Sequence, residues 1–385
     1  MYFKISHIIR KISALLLFFS FQFLLLAQTQ YSNLPSVYIN TENNAAVTSK
    51  VDWLPAQIQI VSTDTIDQIN VPTEIRGRGN STWSMPKKPY RIKLDKKTNL
   101  MGMYARAKNW VFLANYADKT LMRNAVAFQI GRIAGLEFTP STCFVDLVLN
   151  NNFLGNYMVT DQIEVHSERV AIDEQDSSQV AEPDVTGGYL LEIDGFAASE
   201  PVWFTSSKGL KFTVKSPDDD DINEFQLAYI QNYINEFETR LFSTNFTDPV
   251  AGYRTMIDST SLVNWYIASE LTGNSDAFWS TYVYKKRSDN KLYFGPLWDY
   301  DIAFNNDDRL ADATEKRMSQ YAHNPRTWIL RFLEDEWFQT LLWRRWNELI
   351  ADNLAGNLNS YINETAGLLE TSQQLNFQKW NNLNK

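Results

Sequence analysis

The chain has 385 residues, 44% hydrophobic and 21% charged, enough for one large folded unit or two lobes. A formal net charge of −9 argues against a nucleic-acid partner, which needs a basic footprint. The single cysteine, Cys143, excludes an intrachain disulfide. Three histidines are too few for a zinc site built from His and Cys.

In chain order, Lys4, Arg10 and Lys11 precede an apolar stretch from Ile12 to Leu26, and Ala27 is followed by Gln28. This is the pattern of a cleaved secretory leader over residues 1–27. The stretch is short for a bilayer span. The expectation is a secreted or extracytoplasmic protein, in a periplasm or at a cell surface, with no stable membrane span after cleavage. Residues 28–35 read as a linker. Leu34 to Asn40, Gln57 to Val61, Glu74 to Arg78, Tyr90 to Leu94 and Trp110 to Ala114 read as strands. Asp118 is expected to cap a helix in which Met122, Val126, Ile130 and Ile133 recur at helical spacing until Gly135. Cys143 to Leu149 and Phe153 to Val159 flank Asn150-Asn151-Asn152 as a hairpin. Gly188 to Ile193 and Lys211 to Lys215 are two further strands. After Pro217 the texture turns helical. Ile222 to Leu241 is amphipathic, the acids Asp218 to Asp221 are read as its cap and dipole compensation, and further helices are expected near residues 260–272 and 326–356. The division is a strand-rich lobe over residues 36–216 and a helical lobe over residues 217–385.

The segment from Asp276 to Asp308 carries the strongest chemical signal. Two aromatic and β-branched runs flank Ser288-Asp289-Asn290 as a hairpin. Asp276 precedes the first run, and Asp299 and Asp301 follow the second. A hairpin brings its ends together, so the three carboxylates are expected to meet. Clustered carboxylates call for a proton or a cation, and hard oxygen ligands suit Mg2+, Mn2+ or Ca2+. A second segment runs Arg76-Gly77-Arg78-Gly79-Asn80-Ser81-Thr82-Trp83, then Pro86-Lys87-Lys88-Pro89-Tyr90-Arg91-Ile92-Lys93-Leu94. Glycines admit close backbone approach and the cations supply charge, which suits phosphate oxygens. A tight turn with solvated basic residues is the plainer reading. Neither the Walker A nor the dinucleotide spacing is present. Outside the leader only His166 and His323 remain, so acid–base work falls to carboxylates or lysines.

These segments, with Lys108-Asn-Trp-Val-Phe-Leu-Ala-Asn, Asp118-Lys-Thr-Leu-Met-Arg-Asn124, Gly187-Gly-Tyr-Leu-Leu-Glu-Ile-Asp194, Lys215-Ser-Pro-Asp218 and Trp298-Asp-Tyr-Asp301, closely resemble the CotH kinase family, the spore-coat protein H group. The similarity runs in order from Leu34 to Trp380. It implies an α+β fold of two lobes, distantly like protein kinases. The implied activity is that of an atypical protein kinase moving the γ-phosphate of ATP, with Mg2+ or Mn2+, onto Ser or Thr of an extracytoplasmic protein. Asp276 matches the catalytic acid of the family and Asp299 its metal-binding acid, with Asp301 beside it. Arg78, Asn80, Ser81, Lys93 and Lys108 are the candidate nucleotide-binding residues, the two lysines being alternatives for pairing with phosphate. The chain departs from the family pattern at Asp161-Gln162-Ile163, where Glu is expected, with Glu164 close by. It also ends at Lys385, sooner than the family leads one to expect. Two other classes stay open. One is a non-catalytic surface, coat or adhesin-type protein that keeps the fold and binds Ca2+ structurally. The other is a carbohydrate-active protein using Trp328, Trp337, Trp343 and Trp346, although these lie in runs better read as helix core.

Overall fold

The computed structural model describes residues 29–64, 68–307, 318 and 328–383. The leader, His323 and Asp308 lie outside the described residues.

The first half of the chain winds into a closed barrel of seven strands. These are β1 (Ser36–Thr41), β2 (Leu54–Val61), β3 (Ile69–Gly77), β4 (Tyr90–Asn99), β5 (Arg106–Leu113), β6 (Thr142–Leu149) and β7 (Asn152–Asp161). Their order is β1-β2-β3-β4-β5-β7-β6, and β1 closes the ring by pairing in parallel with β6, Val37 opposite Leu147. The period-2 pattern explains the closure. Val37, Ile39, Ile58, Ile60, Ile75, Ile92, Trp110, Phe112, Val145, Leu147, Tyr157 and Val159 point inward and fill the lumen. A short helix, α1 (Ser81–Ser84), follows β3, and α2 (Arg123–Ala134) follows β5. Gly135 ends α2 in the left-handed region at φ 76°.

A second, five-stranded sheet has the order β12-β11-β8-β10-β9. It combines β8 (Tyr189–Asp194), β9 (Trp203–Thr205) and β10 (Lys211–Ser216) with β11 (Ser280–Lys285) and β12 (Leu292–Phe294), so it draws strands from both sides of residue 217. Gly187 lets β8 begin against the β11–β12 turn. A Cβ there would lie 2.1 Å from the backbone of Lys286 and Arg287. The helices α3 (Glu224–Leu241), α4 (Ser259–Leu271), α5 (Ile329–Leu333), α6 (Glu336–Ala351) and α7 (Leu354–Trp380) complete the C-terminal half. A second core joins this sheet, these helices and α2 to the outer face of the barrel. It runs from Val111, Phe144 and Met158 through Phe128, Ile193 and Phe212 to Phe237, Tyr253, Trp328 and Phe332.

The architecture is therefore α+β, strand-rich first and helical later. Several local expectations need correction. The cap of α3 is Asn223, which accepts from Phe225 N and Gln226 N in a capping box, and not the acidic run before it. Asp118 sits ahead of α2 but accepts from Arg123 N through its side chain, while Met122 holds the cap position. The region expected to be helical over 326–356 is broken at Asn353 (φ 60°). The 27-residue α7 beyond that break had no sequence signal, because part of what it buries is polar: Thr365, Ser372 and Asn376. Trp328 is fully buried, as expected of helix core, but Trp343 is 70% exposed and Trp346 also faces solvent.

Candidate active site

One face of the second sheet is polar because alternate residues of its central strands are. On β8, Glu192 and Asp194 alternate with the core residues Leu191 and Ile193. Thr213 of β10 lies opposite Glu192, and on the other flank Tyr282 and Ser280 of β11 lie opposite Glu192 and Asp194. Lys215, two residues beyond Thr213, reaches both Glu192 Oε2 (3.1 Å) and Glu200 Oε2 (3.4 Å). Ser280 Oγ donates to Glu192 Oε1 at 2.7 Å, and Thr213 Oγ1 donates to Asp194 Oδ2 at 2.8 Å. Burial raises the Asp194 carboxyl, Glu192 adds to the rise, and Lys215 opposes it. The Lys215 ammonium is itself raised, because the two glutamates and Asp194 outweigh its partial burial.

Over this face hangs the segment after β12. In Trp298-Asp299-Tyr300-Asp301 the aromatics are the anchors. Trp298 stacks on Phe128 of α2 at 6.1 Å, and Tyr300 is buried with its hydroxyl 2.8 Å from Ser269 Oγ. The Tyr300 backbone N–H donates to Asn124 Oδ1 at 2.7 Å, and Asn306 Nδ2 donates to Asp301 O at 2.8 Å. Asp299 adopts a left-handed backbone, φ 65°. The two acids alternate with the anchored rings. Burial pushes the Asp299 carboxyl up to about 6. Asp276 and Glu192 push the same way, while the Arg78 guanidinium pulls it down. Asp301 is held well above the usual carboxylate range by burial, then by Asp299, Asp118 and Asp276. Asp276 lies in the loop before β11, its N–H bonded to Asn274 Oδ1 at 3.0 Å.

The structure thus brings Asp276, Asp299, Asp301 and Arg78 into one electrostatic neighbourhood. Arg78 leaves the end of β3, its N–H on Pro89 O and its guanidinium 5.3 Å from the Trp298 ring centre. Among the described residues no three His, Cys, Asp or Glu side chains converge closely enough to hold a metal by themselves, so the expected meeting of three carboxylates is looser than a closed cage. That donor set still fits Mg2+ or Mn2+, which are usually held by one or two carboxylates and completed by phosphate and water.

The other candidate residues are not among the groups that shift the Asp299 and Asp301 carboxyls. Asn80 and Ser81 are exposed at the start of α1, and Asn80 Oδ1 meets Lys50 Nζ at 3.4 Å. Lys93 and Lys108 are exposed on β4 and β5. Asp161 does not pair with a phosphate-binding lysine: it is buried against Arg169 (2.9 Å) and accepts from Ser141 N. Glu164 joins the same arginine and also accepts from Asn109.

The family model described as CotH kinase protein matches residues 75–385. The chain belongs to the CotH kinase family. No curated protein matches it. The match begins within β3, so β1 and β2 close the barrel from outside the matched residues. The segments Gly187 to Asp194 and Lys215 to Asp218 match the family pattern, yet their sequence alone assigns no role to Glu192 or Lys215. The signal that could have found Glu192 and Lys215 is the placement of single charges in apolar strands, where an unpaired charge is costly.

Proposed function

We propose that the chain is an exported, ATP-dependent atypical protein kinase that phosphorylates Ser or Thr of an extracytoplasmic protein. The barrel would form one lobe and the helices with the second sheet the other, with the nucleotide between them. The observation that carries this reading is the half-buried Asp299 carboxyl, raised by Asp276 and Glu192 and opposed by Arg78, with Lys215 held by that same Glu192. Phosphoryl transfer asks a protein for positioning, a metal site and positive charge around the phosphates.

Asp299 and Asp301 would hold the divalent ion, which when bound neutralises charge on the phosphate oxygens. Asp276 would orient the acceptor hydroxyl and take its proton. Lys215 and Arg78 would face the phosphates. In this reading Lys215 replaces Lys93 and Lys108 as the phosphate-pairing lysine, since the glutamates fix its ammonium beside the acids. Asn80 and Ser81 would contribute from the glycine-rich turn. A structural Ca2+ site draws less support, because Ca2+ takes about six to eight oxygens and the described residues offer no three-acid cluster.

The test is to incubate the purified protein with labelled ATP and Mg2+ or Mn2+, beside Asp299→Ala. Metal-dependent labelling of the protein itself or of a candidate acceptor is expected with the native chain alone. Equal labelling of both, or none by the native chain across acceptors, contradicts the reading.

A further inference from the structure

Away from this site, α7 lies against the outside of the barrel over a buried polar cluster that the proposed reaction does not use. Lys87, in the turn between α1 and β4, is fully buried. Its Nζ donates to Asn376 Oδ1 of α7 at 2.8 Å and to Asn156 O of β7, and it lies 4.5 Å from the Tyr157 ring centre. Asp146 of β6, opposite Asn156 in the ladder, is also buried. It does not pair directly with the lysine. Its two oxygens accept from Ser372 Oγ and Ser32 Oγ, each at 2.6 Å, and Ser372 Oγ in turn accepts from Asn156 Nδ2 at 3.0 Å. Gly155 makes the approach of α7 possible: a Cβ there would lie 2.6 Å from Asn376 Oδ1.

A buried ammonium whose direct partners are neutral is poorly placed as a structural charge, whereas a buried neutral amine beside a carboxamide is a nucleophile beside an electrophile. Burial lowers the Lys87 ammonium well below its usual range and raises the Asp146 carboxyl, so the interior favours the free amine and the neutral acid. The amine nitrogen lies 2.8 Å from the oxygen of the carboxamide whose carbon it would attack, so the two groups are already neighbours in the fold.

We propose that Lys87 and Asn376 join through an intramolecular amide bond, formed in the folded chain, that fastens α7 to the barrel. The lone pair of neutral Lys87 Nζ attacks Asn376 Cγ, and a Nζ–Cγ bond forms. The Cγ–Nδ2 bond breaks, and Nδ2 leaves as ammonia carrying one of the two protons of the amine. No oxidant, reductant or co-reactant is consumed. The bond ties together positions 289 residues apart, so the C-terminal helix could not peel from the barrel while it stands.

Peptide mapping of the denatured native protein by mass spectrometry tests this. The expected result is a branched peptide joining the segment around Lys87 to that carrying Asn376, lighter than the two together by one ammonia, about 17 Da. Lys87→Arg and Asn376→Ala should each abolish it. Recovery of the two segments only as separate linear peptides of full mass overturns the proposal. So does an ammonia loss traced elsewhere, such as cyclisation of an N-terminal glutamine. Because the decisive sample is the native chain, a variant that fails to fold does not blur the answer.

Discussion

At the residue scale, the Asp299 carboxyl costs the fold stability. Its carboxyl stands at about 6 in the folded protein, above its ordinary value of 3.8. The folded state therefore holds its proton more tightly than the unfolded chain. Stability from this group falls as pH rises from about 4 to about 6 and stays lower beyond. Asp299→Asn should accordingly raise the stability of the metal-free protein at pH 7 by about 1 kcal/mol, a value discounted for partial solvent access, while abolishing phosphate transfer. The gain should shrink as pH is lowered towards 4. Parallel denaturant curves at pH 4, 5.5 and 7 measure it, and an Asp299→Asn protein less stable than native at pH 7 contradicts the electrostatics. Lys215 is the opposite case, a cation whose loss would leave Glu192 and Glu200 without their partner.

At the element scale, the sequence declared its strands wherever one face was apolar. The lumen residues of β1 to β7 alternate cleanly, and the β6–β7 hairpin is marked by Asn150 and Asn151, both at positive φ. The element it hid most completely is α7, whose contact with the barrel runs through Ser372 and Asn376 and so carries little hydrophobic periodicity. The three-residue β9 was also invisible, because so short a strand has no period to read. The cap of α3 was misassigned because four acids upstream masked Asn223, whose paired bonds with Gln226 are seen only in three dimensions. Asn223→Ala should cost about 1 kcal/mol of stability, measured as a shift of the denaturation midpoint at constant slope.

At the scale of the whole molecule, the acids of the candidate site and Arg78 were legible, and the partners Glu192 and Lys215 were not. Asp276, Asp299 and Asp301 stand out because they bracket one hairpin, a local feature. Glu192 and Lys215 belong to different strands and Arg78 follows β3, and only the pairing of β8 with β10 and β11, and the approach of the barrel to that sheet, puts them in range. Lys93 and Lys108 were candidates through the family resemblance. Strand alternation and exposure place both lysines at the surface.

The central claim is that these residues form one centre for a nucleotide and a divalent ion. Thermal or chemical unfolding with ATP and Mn2+ tests it most directly, on the native protein and on Asp299→Ala. At a hundredfold excess over the dissociation constant, the native protein should gain about 2.7 kcal/mol and the variant little or nothing. Equal gains in both proteins, or stabilisation by Ca2+ alone with no response to ATP, would contradict the account.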